Sequence, residues 1–170
     1  MALFPDAESF RPFVEENFAR LASFAQSILG SSFEAEDIAQ EALILLYRSR
    51  LRLASDVSPQ PFLYRIAQRL CFSRLRRDAR RRTLAVLHIP LVPRESPPVA
   101  DSVDSWFRGL PRRQRAIAHL YFAESHDTGE IARILGISPS TVRVQLARIR
   151  SRLKASHSSL PNSERCSHAS

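Results

Sequence analysis

Apolar residues recur at helical spacing along most of the chain. Over residues 9–29, Phe10, Val14, Phe18, Leu21, Ala25 and Ile28 share one face, and Gly30 is the stop. Ser31 and Glu34 then stand at capping-box spacing before a second helix, from about Phe33 to Leu51, that buries Ile38, Ala39, Ala42, Leu43, Leu45 and Leu46. Residues 52–60 read as a loop, and Pro61 opens a third helix reaching to about Arg82, with Phe62, Leu63, Ile66, Ala67 and Leu70 inward. From Thr83 to about Gly109 the pattern fails. Pro90, Pro93, Pro97 and Pro98 sit there among small and acidic residues, and Leu87, Ile89 and Leu91 offer only local docking.

A second periodic block starts at Leu110-Pro111 with a helix carrying Ile117, Leu120, Tyr121 and Phe122 into a core. Asp127 and Glu130 again have capping-box spacing, Ile131, Ala132 and Leu135 give a short helix, and Gly136 breaks it. Ser138 caps the next helix with Pro139 at its first position, and Val142, Leu146, Ile149 and Leu153 form its buried stripe. Two helices joined by the turn LGIS make a helix-turn-helix. The expected fold is all-α: two small helical modules, 1–82 and 110–154, joined by a flexible linker over 83–109, with a Ser-rich disordered tail over 155–170.

The faces left outside carry the chemistry. On the last helix Ser138, Ser140, Thr141, Val144 and Arg148, flanked by Arg143, Gln145, Arg150 and Arg152, form a surface without a carboxylate. In the major groove Arg reads guanine, Gln reads adenine, and Val touches a thymine methyl. A basic helix in an ordinary bundle is the bland alternative, but such a helix normally mixes both charge signs on its wet face. On the third helix Phe72 lies among Arg65, Arg69 and Arg76, with Gln68 adjacent. That grouping either stacks a base and holds phosphates or packs an aromatic beneath solvated arginines. The run of arginines at 74, 76, 77, 80, 81 and 82 favours phosphate contact under either reading. The second helix shows Asp37, Gln40, Glu41 and Arg48 around an outward Ile44, an apolar centre with a polar rim suited to docking a protein.

Charge sharpens this picture. The 170 residues carry a net +8, unevenly spread: residues 1–64 hold 5 basic and 9 acidic side chains, 65–82 hold 8 and 1, 83–107 hold 1 and 3, and 108–154 hold 10 and 3. Two basic blocks separated by an acidic spacer suit a polyanion, and the acidic front suits a different partner. Cys71 and Cys166 have no ligand spacing around them, and His88, His119, His126, His157 and His168 are scattered, so neither a metal site, a cofactor nor a catalytic centre is expected. No apolar run reaches membrane-spanning length and no signal peptide is evident, so a cytoplasmic protein is expected.

Three stretches carry a family resemblance: AEDIAQEALILLYR from Ala35, FLYRIAQRLCFSRLRRDARRR from Phe62, and LPRRQRAIAHLYF followed by EIARILGISPSTVRVQLARIRSRL. In this order they resemble the sigma factors of bacterial RNA polymerase, closest to the extracytoplasmic-function (ECF) subfamily, from Phe10 to Lys154. The resemblance implies that Asp37, Gln40, Glu41, Ile44 and Arg48 bind the clamp helices of the largest polymerase subunit. It further implies that the helix from Phe62 recognises and melts the promoter −10 element through Phe62, Arg65, Gln68, Arg69, Phe72, Ser73, Arg76 and Arg77. The recognition helix would read the −35 element as duplex, the second module would also meet the polymerase flap region, and the acidic linker would thread the polymerase channel. Phe62 stands where the family usually has Trp, Arg69 where it often has Asn, and Ser73 where it often has Asp, which makes this −10 surface more positive. Members of the subfamily are often held by an anti-sigma factor, commonly a membrane protein. Two rival readings, a stand-alone helix-turn-helix regulator and a nucleic-acid-processing enzyme, leave the acidic second helix unexplained or lack a clustered site.

Overall fold

The computed structural model describes residues 4–50, 58–85 and 109–158, and every regular element among them is helical. The first module consists of α1 (Ala7–Leu29), α2 (Ser32–Ser49) and α3 (Gln60–Ala85). The second consists of α4 (Arg112–Ala118), continued by a π-helical turn (His119–Ala123), then α5 (Thr128–Leu135) and α6 (Pro139–Ser158).

Local signals set the boundaries. The Asp6 carboxylate accepts from the Ser9 N–H at 2.8 Å to start α1, and Gly30, at φ 83°, ends it. Ser31 caps α2 through the Glu34 N–H at 3.4 Å, while the Glu34 carboxylate meets Arg74 of α3 at 3.4 Å. Leu21, Phe24, Ala25 and Ile28 of α1 then close on Ala35, Ala39, Ala42 and Leu46 of α2 and on Leu63, Ala67 and Cys71 of α3. The alanines let the backbones approach. Buried Asn17 is satisfied, donating to the Phe13 carbonyl at 2.9 Å and accepting from Gln60 at 3.2 Å.

In the second module Asp127 accepts from the Gly129 and Glu130 N–H groups at 2.7 and 2.8 Å, and the Glu130 side chain returns the bond, so the expected capping box is present. These same backbone donors hold the Asp127 carboxyl below its ordinary value. Gly136 supplies the left-handed turn at φ 66°, and the Ser138 hydroxyl accepts from the Thr141 N–H at 3.1 Å to start α6. Val142, Leu146 and Ile149 are buried against Ile117, Leu120, Ile131 and Ile134, with Leu153 half-buried at the end of the stripe.

Several expectations need correction. Phe122, assigned to the core, is 44% exposed. The helix widens to a π turn at His119, with the Glu124 N–H bonded to the His119 carbonyl at 3.1 Å, so that His119 is buried beside the expected Leu120 while Tyr121 is half-buried and Phe122 lies outside. Tyr64, absent from the expected core, is fully covered, whereas Phe62, Ile66 and Leu70 are half-buried. The reason is that the modules pack on each other: α1 meets α4 and its π turn, and α3 meets α5. Helix α3 also runs to Ala85, and α6 runs to Ser158, into stretches read as linker and tail, since no breaker intervenes. The rest of the linker, with Leu87, Ile89 and Leu91, and the tail from residue 159, with Cys166 and His168, lie outside the described residues.

Gly136 has open space where a Cβ would go, so Gly136→Ala isolates backbone strain from steric clash. Chemical denaturation of that variant is expected to show a loss of about 1–2 kcal/mol, with Gly136→Asn losing less.

Candidate nucleic-acid interface

Burial of the Val142–Leu146–Ile149 stripe fixes which way α6 faces. Ser138, Ser140, Thr141, Arg143, Val144 and Arg148 are consequently exposed, Val144 by 51%. Gln145 is half-buried, and its side-chain oxygen accepts from the amide of buried Gln114 at 2.9 Å. Arg152 in turn donates to the Gln114 oxygen at 3.0 Å, and Arg150 donates to the Tyr121 hydroxyl at 3.2 Å. These bonds tie α6 to α4 and its π turn. Arg143 and Arg148 of the same helix are exposed.

On α3, Arg69, Arg76 and Arg77 are exposed, while Phe62, Arg65, Gln68, Phe72 and Ser73 are half-buried. Phe72 packs against the edge of the core and also lines an open cleft. Arg65 is committed elsewhere: its guanidinium donates to the Arg133 carbonyl and, at 3.4 Å, to the Ile134 carbonyl of α5. Cys71 is a packed thiol that burial pushes up to about 12, as expected of an inert core cysteine.

On α2 the five expected docking residues, Asp37, Gln40, Glu41, Ile44 and Arg48, are all exposed, Ile44 by 52%. Spacing alone missed that Ile44 opens into an apolar groove of about 470 Å³ between α1 and α2, where Phe10, Val14, Phe18 and Tyr47 join it.

A second cluster had no signal in the sequence. Glu124, just past the π turn, has a side chain only 4% exposed and pairs with the Arg20 guanidinium, whose Nε donates at 2.8 Å. The His119 imidazole approaches its other oxygen at 3.6 Å. Desolvation pushes the Glu124 carboxyl up, but the polar groups of His119, Arg20 and Tyr64 outweigh it and bring the group down to about 2. Rings of Phe24 and His119 meet edge-on at 5.6 Å, and those of Tyr64 and His126 at 5.7 Å. Arg20 and Glu124 lie 104 positions apart, so no local pattern could pair them. No group of three or more metal-ligating side chains occurs among the described residues.

Two helical modules, one with a carboxylate-free helix-turn-helix and one with an arginine-rich helix, match known families in the same order. Residues 13–81 match sigma-70 region 2, and residues 102–153 match sigma-70 region 4. The chain belongs to the sigma-70 family. Its likeness extends to the ECF RNA polymerase sigma factor SigM of Mycobacterium tuberculosis, in two strains, at 28% identity over 87% of this chain and 76% of that protein. Together these matches identify an ECF sigma factor. Two solved structures share the fold: the sigma factor RpoE in complex with the anti-sigma factor NepR from Bartonella quintana (TM-score 0.75, 19% identity, 90% of this chain and 99% of that one), and CnrH in complex with the cytosolic domain of CnrY (TM-score 0.68, 20% identity, 92% of each).

The lowered Glu124 carboxyl has a definite sign. Its stabilising contribution is complete above its ordinary value of 4.5 and is lost as pH falls from there towards 2. Thermal unfolding followed across this range should show Glu124→Gln less stable than the wild type by roughly 1–3 kcal/mol at neutral pH, allowing for solvent screening through half-exposed Arg20, with the difference vanishing near pH 2.

Proposed function

We propose that this sigma factor divides promoter-specific transcription initiation among three surfaces. The exposed face of α2, Asp37, Gln40, Glu41, Ile44 and Arg48, binds the clamp helices of the largest polymerase subunit. The outer side of α3, with Phe62, Arg65, Gln68, Arg69, Phe72, Ser73, Arg76 and Arg77, engages and helps melt the −10 element. The start of α6, with Ser138, Ser140, Thr141, Arg143, Val144, Gln145 and Arg148, reads the −35 element, and the second module also contacts the flap region. On this reading the module boundaries are 1–82 and 110–154, with 83–109 as the linker between them and 155–170 as a tail.

The observation that carries the reading is the pairing, on one chain, of an apolar-centred acidic face on α2 with a carboxylate-free basic face on α6. A stand-alone regulator needs only the second. Sigma factors as a class are not enzymes, and this chain is read the same way, with RNA synthesis left to the polymerase. None of the described helices is long and apolar enough to cross a membrane. The proposed location is the cytoplasm. An anti-sigma factor is a further proposed partner, since one structural neighbour is a sigma factor in complex with an anti-sigma factor.

Run-off transcription from a pool of genomic fragments, with core polymerase in the presence and absence of the protein, tests the whole reading. Discrete transcripts that depend on the protein are expected, and duplex binding without co-elution with core polymerase would instead indicate a regulator. Ile44→Asp, at an exposed position, should keep the helical circular dichroism and melting temperature while abolishing co-elution with core. Arg148→Ala should weaken promoter binding by the holoenzyme by about 1–3 kcal/mol, read as a rise in Kd of about five- to 150-fold, if its guanidinium contacts a guanine.

A further inference from the structure

Guanidiniums from three helices converge on one cleft. Arg69 and Arg76 of α3, Arg113 of α4 and Arg148 of α6 border it, all of them exposed, and its lining holds no carboxylate. Other arginines are used by the fold: Arg20 and Arg74 meet carboxylates, Arg65 and Arg115 meet carbonyls, and Arg150 and Arg152 meet polar side chains. Among the described residues those at the cleft have no such partner. Like charges gathered around a small space repel one another, and an anion placed among them turns that cost into attraction.

The rest of the lining is largely apolar. Ala116 and Ile117 are buried there, Leu135 and Ile137 are half-buried, and so is Phe72, whose ring supplies an aromatic face. The cleft holds about 570 Å³, the size of a site for one small molecule. A simple inorganic anion would leave most of that space empty, and an apolar ligand would leave the guanidiniums unmet. A flat aromatic body carrying several phosphates satisfies both, because bases stack on aromatic side chains and guanidinium forks take phosphate oxygens in pairs. Gln68 adds an amide on the α3 side that can both donate and accept at a base edge, whereas the Gln114 and Gln145 amides are already joined to each other at 2.9 Å.

We propose that this cleft binds a free nucleoside polyphosphate, with the base against Phe72 and the apolar lining and the phosphates among Arg69, Arg76, Arg113 and Arg148. The site stands on the chemistry of the cleft alone. Its consequence rests on the reading under Proposed function: Arg69, Phe72, Arg76 and Arg148 are assigned there to promoter DNA, so nucleotide and promoter compete for the same side chains. Arg113 has no part in that assignment.

Isothermal titration calorimetry of the full chain with ATP, tripolyphosphate and adenosine tests the site. ATP is expected to bind saturably, at one site per chain, and more tightly than either fragment. Arg113→Gln should weaken ATP by about tenfold through the loss of one charge-assisted contact. Phe72→Leu keeps an apolar side chain against the core but removes the ring face, and at unchanged helicity it should bring ATP down to the affinity of tripolyphosphate. Arg11→Gln, which removes an exposed charge of α1 away from the cleft, should leave ATP binding as it is. Absent or unsaturable ATP binding, tripolyphosphate binding as tightly as ATP, or equal losses from Arg11→Gln and Arg113→Gln would each overturn the site, the last by showing attraction to net charge alone. Anisotropy titration at low salt, with a promoter duplex found by the run-off assay, reads the consequence: saturating ATP is expected to raise the Kd of the polymerase-free chain for that duplex. ATP that binds in the cleft without that rise overturns the competition, and with it the assignment of these side chains to DNA.

Discussion

A carboxylate with 4% of its side chain exposed must be met by polar groups on every side, and Glu124 meets them only where the two modules touch. Arg20 comes from α1, Tyr64 from α3, and His119 from the π turn on which Glu124 itself hangs. The burial of Tyr64 and the capture of Arg65 by the α5 carbonyls belong to the same contact between modules.

The π turn is the local device that makes the contact available. An α-helix continued from α4 would carry Tyr121 and Phe122 inward, as their spacing suggests. The widened turn instead buries His119 beside the expected Leu120 and delivers Glu124 to the face that meets α1. Its cost in helix geometry is offset by the core that Leu120 fills and by the polar cluster it completes. Exposed Phe122 is what the shift leaves outside, its ring edge-on to Tyr121 at 5.0 Å.

Charge segregation along the chain becomes spatial segregation in the fold. The acidic front supplies α2, whose wet face surrounds Ile44, and the two basic blocks become α3 and α6, which border one cleft. On the proposed function these surfaces serve the polymerase and the promoter.

By itself the sequence determined which stretches are helical, the Ser31, Asp127 and Ser138 caps and the two glycine stops, because each is fixed by residues within four positions of one another. It also determined the outward faces of α2 and α6, since a buried stripe at helical spacing dictates what lies opposite, and the order of three motifs identified the family. What only the tertiary structure decided involves residues far apart in the chain: the Arg20–Glu124 pair, the covering of Tyr64, the capture of Arg65 by α5, and the groove joining Ile44 to α1. Periodicity reports whether a side chain points into a helix's own module, but not whether a second module will pack over it. The physical reason is that module packing depends on the shape and charge of whole surfaces, a non-local property that no window of neighbouring residues contains.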